Sequence, residues 1–266
     1  MIEPNQAFET NTLKKNLFIL RTLVSKDFKL RYRRSVLGVA GSVLNPLLMM
    51  VVLAAVFSFF LRFTEAALEP FALYLILGTT LFQLMNDSTR AALTSITQAA
   101  PLIKKIRIEK LLFPLEAIMF QVLSFVISLI AVVLVMLWFH VWPTPLLLLL
   151  PVLVLFVLLF SLGLGMLLSA LSVFFRDVEH LWTVVLTAWT YATPLFWPAS
   201  LLEGWMVTVE QFNPMYHYVA YFRDIVMWNT LPSATEHLIC LAMAVITFIV
   251  GLLVFRKAES KFILYI

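Results

Sequence analysis

Residues 117–175 read AIMFQVLSFVISLIAVVLVMLWFHVWPTPLLLLLPVLVLFVLLFSLGLGMLLSALSVFF, which is 59 consecutive positions without a formally charged side chain. A transmembrane helix needs about 20 apolar residues, so this stretch is too long for one helix. The run Trp142-Pro143-Thr144-Pro145 falls near its middle, and two prolines this close interrupt a helix. The stretch therefore predicts two membrane spans joined by a tight turn.

Four further runs of low charge flank this pair, and each has about the length of one bilayer crossing. They are residues 35–61, 70–97, 180–202 and 237–255. Pro46 lies inside the first of these runs and predicts a kink. The second carries Asp87 and Arg90, three positions apart on one helix face, where they are placed to pair. The prediction is an all-α polytopic membrane protein with six spans.

The composition of the whole chain agrees with this architecture. Of 266 residues, 62% are hydrophobic and 13% are charged, and the mean hydropathy is +0.97. A soluble domain is about half apolar and about a quarter charged, so a soluble globule is excluded. We expect a cytoplasmic segment over residues 1–34 without a cleavable leader, a membrane domain over 35–255 and a cytoplasmic tail over 256–266.

The distribution of basic residues predicts the orientation. Of the 19 Lys and Arg residues, 16 lie before the first span, between spans two and three, between spans four and five, or in the tail. The exceptions are Arg62, Arg90 and Arg223. The positive-inside rule places the 16 residues, and with them both termini, in the cytoplasm. Since this rule also accounts for the net charge of +4, no nucleic-acid partner is implied.

Three segments outside the spans have patterns of their own. Leu13, Leu17, Leu20, Val24 and Phe28 recur at helical spacing among basic residues, which predicts an amphipathic helix in the headgroup region, serving as an anchor, a docking surface or both. The loop 99–116 predicts a short helix between Pro101 and Pro114, either a topological charge cluster or a docking element for a motor subunit. The aromatic segment 201–236 predicts re-entrant or interfacial helices on the outer side.

Several kinds of chemistry are absent from the sequence. No G-x-x-x-x-G-K-[ST] motif occurs, so the chain has no P-loop for nucleotide hydrolysis and is not predicted to be an enzyme. The single cysteine, Cys240, excludes a disulfide within the chain, and the scattered histidines predict no metal site. The small residues Ser161, Gly165 and Ser169 form a stripe at four-residue spacing that favours helix packing. A proton-coupled carrier would depend on Asp87.

The order of several motifs resembles that of a known family. The run from Asp27 to Gly38, followed by Leu44-Asn45-Pro46-Leu47, is similar to the entry to the first span in ABC-2 type exporter permeases for polysaccharides and polyol phosphates. Two later stretches resemble the same family, one from Phe174 to His180 with Thr193 to Pro198, and one formed by Asn213-Pro214-Met215 with Tyr221-Phe222-Arg223. The family usually has a Trp three residues after the Leu-Gly pair, and this chain has Gly41 there.

The resemblance implies a homodimeric permease that moves an undecaprenyl-diphosphate-linked glycan or a teichoic-acid-type polymer outward. It also implies two cytosolic ATP-binding subunits, which would hold ATP and Mg²⁺, while this chain would need no cofactor. Its motor contacts would be the N-terminal helix and the loop, with the candidates Lys104, Lys105, Arg107, Glu109, Lys110, Arg176 and Asp177. An outer gate between the fifth and sixth spans would include Tyr216, Phe222, Arg223 and Asp224.

Two sets of residues are candidates for the substrate path. Sugar C–H groups stack on aromatic rings without tight binding, which suits the rings of Phe57, Phe60, Tyr74, Phe82, Trp189, Tyr191 and Trp197. An aromatic residue at a span end is more often an interface anchor. Basic residues at the cytoplasmic mouth would attract a lipid diphosphate, or serve as positive-inside determinants. These are Lys29, Arg31, Arg33 and Arg34. The rival interpretations are a small-molecule exporter, the proton-coupled carrier, and a membrane protein that does not transport.

Overall fold

The computed structural model describes the backbone of residues 4–33, 36–61, 70–106 and 108–265, and the side chains of all these except 4–13, 30–33, 36–39 and 58–61. Every regular element in this part of the chain is helical. The helices in chain order are α1 (Pro4–Arg33), α2 (Val36–Leu61), α3 (Phe71–Gln98), α4 (Ala100–Ile103), α5 (Leu112–Trp138), α6 (Leu150–Phe174), α7 (Val178–Ala192), α8 (Trp205–Glu210), α9 (Pro214–Arg223), α10 (Ala234–Ala258) and α11 (Phe262–Tyr265).

Four helical stretches are long and apolar enough to cross a membrane: they lie in α2, α5, α6 with the preceding 3₁₀ turn Pro145–Leu149, and α10 with the tail. The chain is therefore a multi-pass membrane protein. Helix α3 also has 28 residues, but it carries Gln83, Asn86, Asp87 and Arg90, which lower its hydropathy. The predicted division of residues 117–175 is confirmed, because α5 ends at Trp138 and α6 begins at Leu150.

Helix α3 is the centre of the bundle. It packs against α5 and α6 along its length and also against α2, α7 and α9. Leu73, Leu75, Ile76, Leu77 and Met85 have no exposed surface. One hydrophobic cluster surrounds this part of α3, and a second fills the end of the bundle at Ile96, Phe113 and Phe255. Most of α3 is therefore buried within the bundle, whereas its polar residues Gln83 and Arg90 are exposed.

Helices α6 and α10 approach each other unusually closely. A Cβ atom on Gly163 would overlap the backbone of Thr247 and Phe248, and one on Gly251 would overlap the carbonyl of Gly163. Two facing glycines let the helix backbones touch, as small residues do in membrane helix pairs. On another face of α6, Ser161, Gly165 and Ser169 are buried, and Gly165 lies against Ala92 of α3 and Ile118 of α5. The packing role predicted for this stripe is confirmed.

Helix α7 is shorter than the fifth run predicted. It ends at Ala192 rather than reaching Leu202, because Thr193 precedes Pro194 and adopts an extended conformation with φ −72° and ψ 137°. The following segment has no regular structure until the 3₁₀ turn Ala199–Leu201. Its free carbonyl groups lie in a buried region, since Pro194, Leu195 and Phe196 are buried, and therefore need donors from elsewhere in the protein.

The loop between α3 and α5 contains less helix than predicted. One turn, α4, covers Ala100–Ile103, and the described residues from Lys104 to Leu111 have no helical structure. Pro114 does not end a loop helix but lies in the first turn of α5, where a missing N–H leaves no intrahelical bond unmade. Helix α1 packs against α5 and α2. It leaves Leu17 and Phe18 exposed by 67% and 71%.

Candidate functional site

A chamber of about 740 Å³ lies between α2, α3, α5 and α7. Its wall combines apolar side chains with amide, hydroxyl and carboxylate groups. The polar residues on the wall are Ser42, Asn45, Thr79, Thr80, Gln83, Asn86, Asp87, Gln121, Ser124, Ser128, Thr190 and Tyr191. This many polar groups around one space between membrane helices is typical of a path for a polar solute.

Helix α3 supplies the most polar part of the wall. Gln83 Nε2 donates a hydrogen bond of 2.7 Å to Asp87 Oδ1, one turn away on the same face. Thr79 uses its proton in a bond of 2.7 Å to the Leu75 carbonyl. The Thr80 hydroxyl is buried and has no hydrogen-bond partner among the residues that the structure describes. The chamber wall thus includes a carboxylate and a buried hydroxyl.

The opposite wall is formed by α2, where Gly41 and Pro46 line the chamber. A Cβ atom on Gly41 would meet no heavy atom within 4 Å. The space directly beside Gly41 is therefore open. Further along α2, Phe57 stacks on Phe196 with ring centres 5.7 Å apart.

The aromatic residues proposed for the path fall into two groups. Phe57, Phe82 and Tyr191 line the chamber, although Phe82 is 2% exposed. Tyr74, Trp189 and Trp197 lie in the packed interior instead: Tyr74 is 1% exposed, and the other two pack against the central cluster. The side chain of Phe60 lies outside the described residues.

A buried arginine donates hydrogen bonds to the non-helical segment that follows α7. The Arg223 guanidinium of α9 donates to the carbonyls of Pro194, Leu195 and Tyr74 at 3.0, 3.2 and 3.2 Å. Arg223 is 3% exposed, and burial lowers its pKa to about 10, which leaves it cationic at neutral pH. Among the proposed gate residues, Phe222 is also buried, while Tyr216 and Asp224 are half-buried.

A second polar cluster joins α9 to its neighbours on the same side of the bundle. Asn213 caps α9 and donates to Glu210 Oε2 at 2.8 Å, while it accepts from Trp189 Nε1 at 2.8 Å. His217 Nδ1 lies 2.8 Å from Glu236 Oε1, and its Nε2 lies 3.0 Å from the Gln211 carbonyl. Burial alone lowers the pKa of His217, but the Glu236 carboxylate and the Gln211 carbonyl outweigh burial and raise it.

At the other end of the bundle, two of the proposed motor contacts are engaged within the chain. Glu109 accepts from Asn16 of α1 at 2.6 Å and from Arg256 of α10 at 3.1 Å. Lys110 donates to the Glu259 carbonyl and lies over the ring of Phe262. These residues therefore tie the loop to α1 and to the tail.

The remaining proposed motor contacts are exposed, apart from Arg107, which lies outside the described residues. Lys104 and Lys105 are exposed beside Ile106, and Arg176 and Asp177 are exposed beside Phe175. Ile106 and Phe175 are 53% and 63% exposed. Apolar side chains surrounded by charges at a bundle end are typical of a protein contact. At the proposed basic mouth Lys29 is exposed, whereas Arg34 and the side chains of Arg31 and Arg33 lie outside the described residues.

The polar chamber wall was not identified from the sequence, although the sequence carries a signal for it. Gln121, Ser124 and Ser128 recur at three- and four-residue spacing within an uncharged span, and Thr79, Gln83 and Asp87 recur at four-residue spacing in α3. Such spacing places polar groups on one helix face. Which faces meet depends on helix packing and not on the spacing.

Comparison with known proteins places the chain in a family. The model of the ABC-2 type transporter family matches residues 19–227. An O-antigen export system permease protein RfbA from Myxococcus xanthus is 28% identical over 246 residues, covering 92% of this chain and 94% of the relative. A protein of the same name from Klebsiella pneumoniae is 28% identical over 255 residues, covering 92% and 93%. Because the family match extends over most of the sequence, the chain belongs to the ABC-2 type transporter family.

Proposed function

We propose that the chain is the transmembrane permease subunit of an ABC exporter that moves a lipid-linked polysaccharide outward across the bacterial plasma membrane. The observation that carries the proposal is the chamber of about 740 Å³, whose amide and hydroxyl groups suit a hydroxyl-rich polymer. The names of the relatives support the same class of substrate. The polymer is of the O-antigen, capsular or teichoic-acid type, carried on an undecaprenyl diphosphate.

The energy comes from two separate ATP-binding subunits, which bind ATP and Mg²⁺, because this sequence contains no P-loop motif. Their docking surface on this chain is the exposed set around Lys104, Lys105, Phe175, Arg176 and Asp177. Closure of these subunits pushes on this surface. Since Glu109 bonds to both α1 and α10, a push on the loop moves these helices together and opens the chamber.

In the proposed topology the chain crosses the membrane six times, with both termini in the cytoplasm. Helix α3 is the second span, and its polar residues Gln83, Asn86 and Asp87 are tolerated because they line the chamber. Helix α7 has 15 residues and so covers about 22 Å at 1.5 Å per residue. The extended residues 193–198 complete the fifth crossing. The helix α1 lies at the cytoplasmic surface, where its exposed Leu17 and Phe18 contact lipid.

The functional unit is a homodimer. One face of α7 exposes the hydroxyl-bearing residues Thr183, Thr187 and Tyr191 at four-residue spacing, and hydroxyl groups are poorly matched to lipid tails. Tyr191 also lines the chamber. A second copy covering this face joins the two chambers into one path along the seam. The lipid diphosphate enters at the basic mouth formed by Lys29, Arg31, Arg33 and Arg34, and the segment 201–236 closes the outer exit.

A second candidate is the export of a small molecule. The chamber volume falls within the range of about 300 to 1,000 Å³ that is usual for drug-sized ligands. This candidate predicts that the purified complex hydrolyses ATP faster with small amphiphiles and does not respond to lipid-linked glycans.

The test is purification of the tagged full-length chain from its native membrane. We expect an ATP-binding subunit to co-purify in equal amount, and ATP hydrolysis by the reconstituted complex to rise when lipid-linked polysaccharide is added. Charge reversal of Lys105 should abolish this rise without loss of the chain from the membrane. Recovery of the chain without an ATPase would contradict the assignment and would favour the carrier that depends on Asp87.

A further inference from the structure

One arginine lies inside a membrane span and has no partner among the residues that the structure describes. Arg90 of α3 is the only Lys or Arg within the six spans predicted from the sequence. The ion pairs in the described part of the chain involve Lys26, His217 and Arg256, and Arg90 is in none of them. Its guanidinium donates no hydrogen bond to a described residue either. The pair with Asp87 for which the sequence spacing is suited is therefore not formed.

An arginine in this position needs a partner, because a cation in hydrocarbon is costly and normally faces an anion, carbonyl groups or a polar cavity. Arg223 has such partners: it is buried and donates to three carbonyls. Arg90 is exposed instead. Its charge therefore has to be matched by a group that the described chain does not supply.

Arg90 lies on the face of α3 that lines the chamber. Thr79, Gln83 and Asn86 all line the chamber and follow each other at spacings of four and three residues. Arg90 continues this series four residues after Asn86, so it is on the same helix face. At 1.5 Å per residue it lies about 6 Å beyond Asn86 along the helix axis. In the proposed topology this is the cytoplasmic side, so Arg90 is at the inner mouth of the chamber.

Helix α5 places an amide at about the same level. Gly165 lies against both Ala92 of α3 and Ile118 of α5, which sets these two residues side by side. The two helices run in opposite directions, since the end of α3 and the start of α5 share one cluster. Gln121, three residues after Ile118, is therefore about level with Arg90. It lines the chamber, and its amide has no hydrogen-bond partner in the described part of the chain.

The group that suits this mouth is a phosphate. A guanidinium offers paired N–H donors that match two phosphate oxygens, and the bonds are strengthened by charge. The attraction also grows where the surroundings are less polar than water. The amide of Gln121 adds a neutral donor, and the space beside Gly41 at the same end of the chamber is open. A phospholipid and a lipid-linked substrate both carry phosphate, but the position of Arg90 on the chamber face favours the substrate.

We propose that Arg90, with Gln121 beside it, binds the diphosphate of the lipid-linked substrate at the inner mouth of the chamber. This inference rests on the proposed function and adds a binding site to it. The basic mouth on the N-terminal segment attracts the diphosphate from the membrane surface, and Arg90 is the next cation along the path. The diphosphate is held there while the attached glycan lies against the polar chamber wall.

The experiment uses the full-length chain, reconstituted with its ATP-binding subunit in liposomes of phosphatidylethanolamine and phosphatidylglycerol. Two probes carry the same hexose oligomer and the same polyprenyl chain, joined by a diphosphate in one and by a monophosphate in the other. KM and kcat for probe-stimulated ATP hydrolysis are measured with each. We expect the wild type to show a KM about tenfold lower for the diphosphate probe, as one additional charge-assisted contact gives.

Three variants test the site. Arg90→Gln should reduce this tenfold ratio of KM values to about twofold without a change in kcat. Arg90→Lys keeps the charge but loses the paired donors, so an intermediate ratio of about fourfold is expected. Gln121→Glu adds a carboxylate of nearly the same shape, which should also reduce the ratio because it repels a diphosphate more than a monophosphate. It provides the test if Arg90→Gln does not assemble. The matched control is Lys257→Gln, which removes a cation from an exposed site in the tail and should retain the wild-type ratio.

The two probes distinguish the sources of phosphate. The phospholipid of the liposomes is the same in both arms, so only a contact with the phosphates of the probe changes the ratio. If Arg90→Gln raises both KM values equally or lowers only kcat, Arg90 binds membrane phospholipid or has a structural role, and the proposal is overturned while polysaccharide export stands. If neither probe stimulates the wild type and small amphiphiles do, the proposed function itself fails.

Discussion

The guanidinium carbon of Arg223 lies 3.3 Å from the ring centre of Tyr74. The Tyr74 hydroxyl in turn donates to the carbonyls of Pro194 and Trp197 at 3.2 and 3.0 Å. Together the two side chains supply donors to the backbone that α7 leaves free when it ends at Ala192. A helix break inside the bundle is tolerated because α3 and α9 provide this pair.

Replacement of Arg223 should therefore destabilise the protein. Arg223→Met removes one donor from each of three buried carbonyls, of which that of Pro194 keeps the Tyr74 hydroxyl, and we expect a loss of about 3 kcal/mol of unfolding free energy. Tyr74→Phe keeps the ring and removes one hydroxyl, with an expected loss of about 1 kcal/mol. Thermal unfolding of the purified variants measures both. Equal melting temperatures for wild type and Arg223→Met would show that the break does not depend on this residue.

The close contact between α6 and α10 predicts that adding even a methyl group to either facing glycine destabilises the protein. Gly163→Ala and Gly251→Ala each place a methyl group where backbone atoms of the other helix lie, so we expect a loss of about 2 kcal/mol or more. Gly41→Ala is the control, because its methyl group would enter open space. Membrane yield and melting temperature are the measurements. Similar results for the three variants would contradict this packing.

The pair of His217 and Glu236 predicts a pH-dependent contact between α9 and α10. The pKa of folded His217 lies above its ordinary value of 6.5, so protonation favours the folded state. This stabilisation is fully present below pH 6.5 and is lost as the pH rises through the raised pKa. The melting temperature of wild type minus that of His217→Gln should therefore fall as the pH is raised above 6.5. A difference independent of pH would exclude the charged pair.

Charged residues between α3 and α5 and between α6 and α7 should differ in effect according to their contacts. Lys105→Glu and Arg176→Glu change exposed side chains, so we expect normal stability and membrane insertion but loss of coupling between ATP hydrolysis and export. Glu109→Gln breaks an ion pair with Arg256. We expect it to lower the melting temperature, corresponding to a loss of about 0.5 to 1 kcal/mol of unfolding free energy. Export and ATP hydrolysis, measured together, distinguish the two classes. A stable Lys105→Glu variant that still exports would remove that residue from the docking surface.

Much of the fold could be predicted because its cause is local. The proline-rich turn at residues 142–145 and the uncharged runs on either side of it fix where α5 ends and α6 begins. The predicted bounds of α2, α3 and α10 also lie close to the observed ones, since length and hydropathy decide where a helix crosses a bilayer. The predicted end of the fifth helix was wrong. The run is apolar up to Leu202, but Pro194 disfavours a helical conformation at Thr193 and so ends the helix.

Less of the candidate site than of the fold could be predicted from the sequence, because the site depends on which helix faces meet. Tyr74 and Trp189 are aromatic residues of the kind expected along the path, but both pack inside the bundle, and their polar atoms bond to other parts of the chain. The chamber wall is formed instead by amides and hydroxyls such as Gln83 and Ser128, which do not stand out within an apolar span. Likewise Glu109 and Lys110 resemble free loop charges until the tail is seen to pack against them.

The sequence by itself determined that this is a multi-pass helical membrane protein without an ATPase motif, because hydropathy, charge placement and proline position act through local physics. Only the tertiary structure decided that Gly163 faces Gly251, that Arg223 supports the broken end of α7, and that polar groups of α2, α3, α5 and α7 share one chamber. These relationships join residues as much as 149 positions apart. They are set by close packing among helices, which periodicity within one helix does not encode.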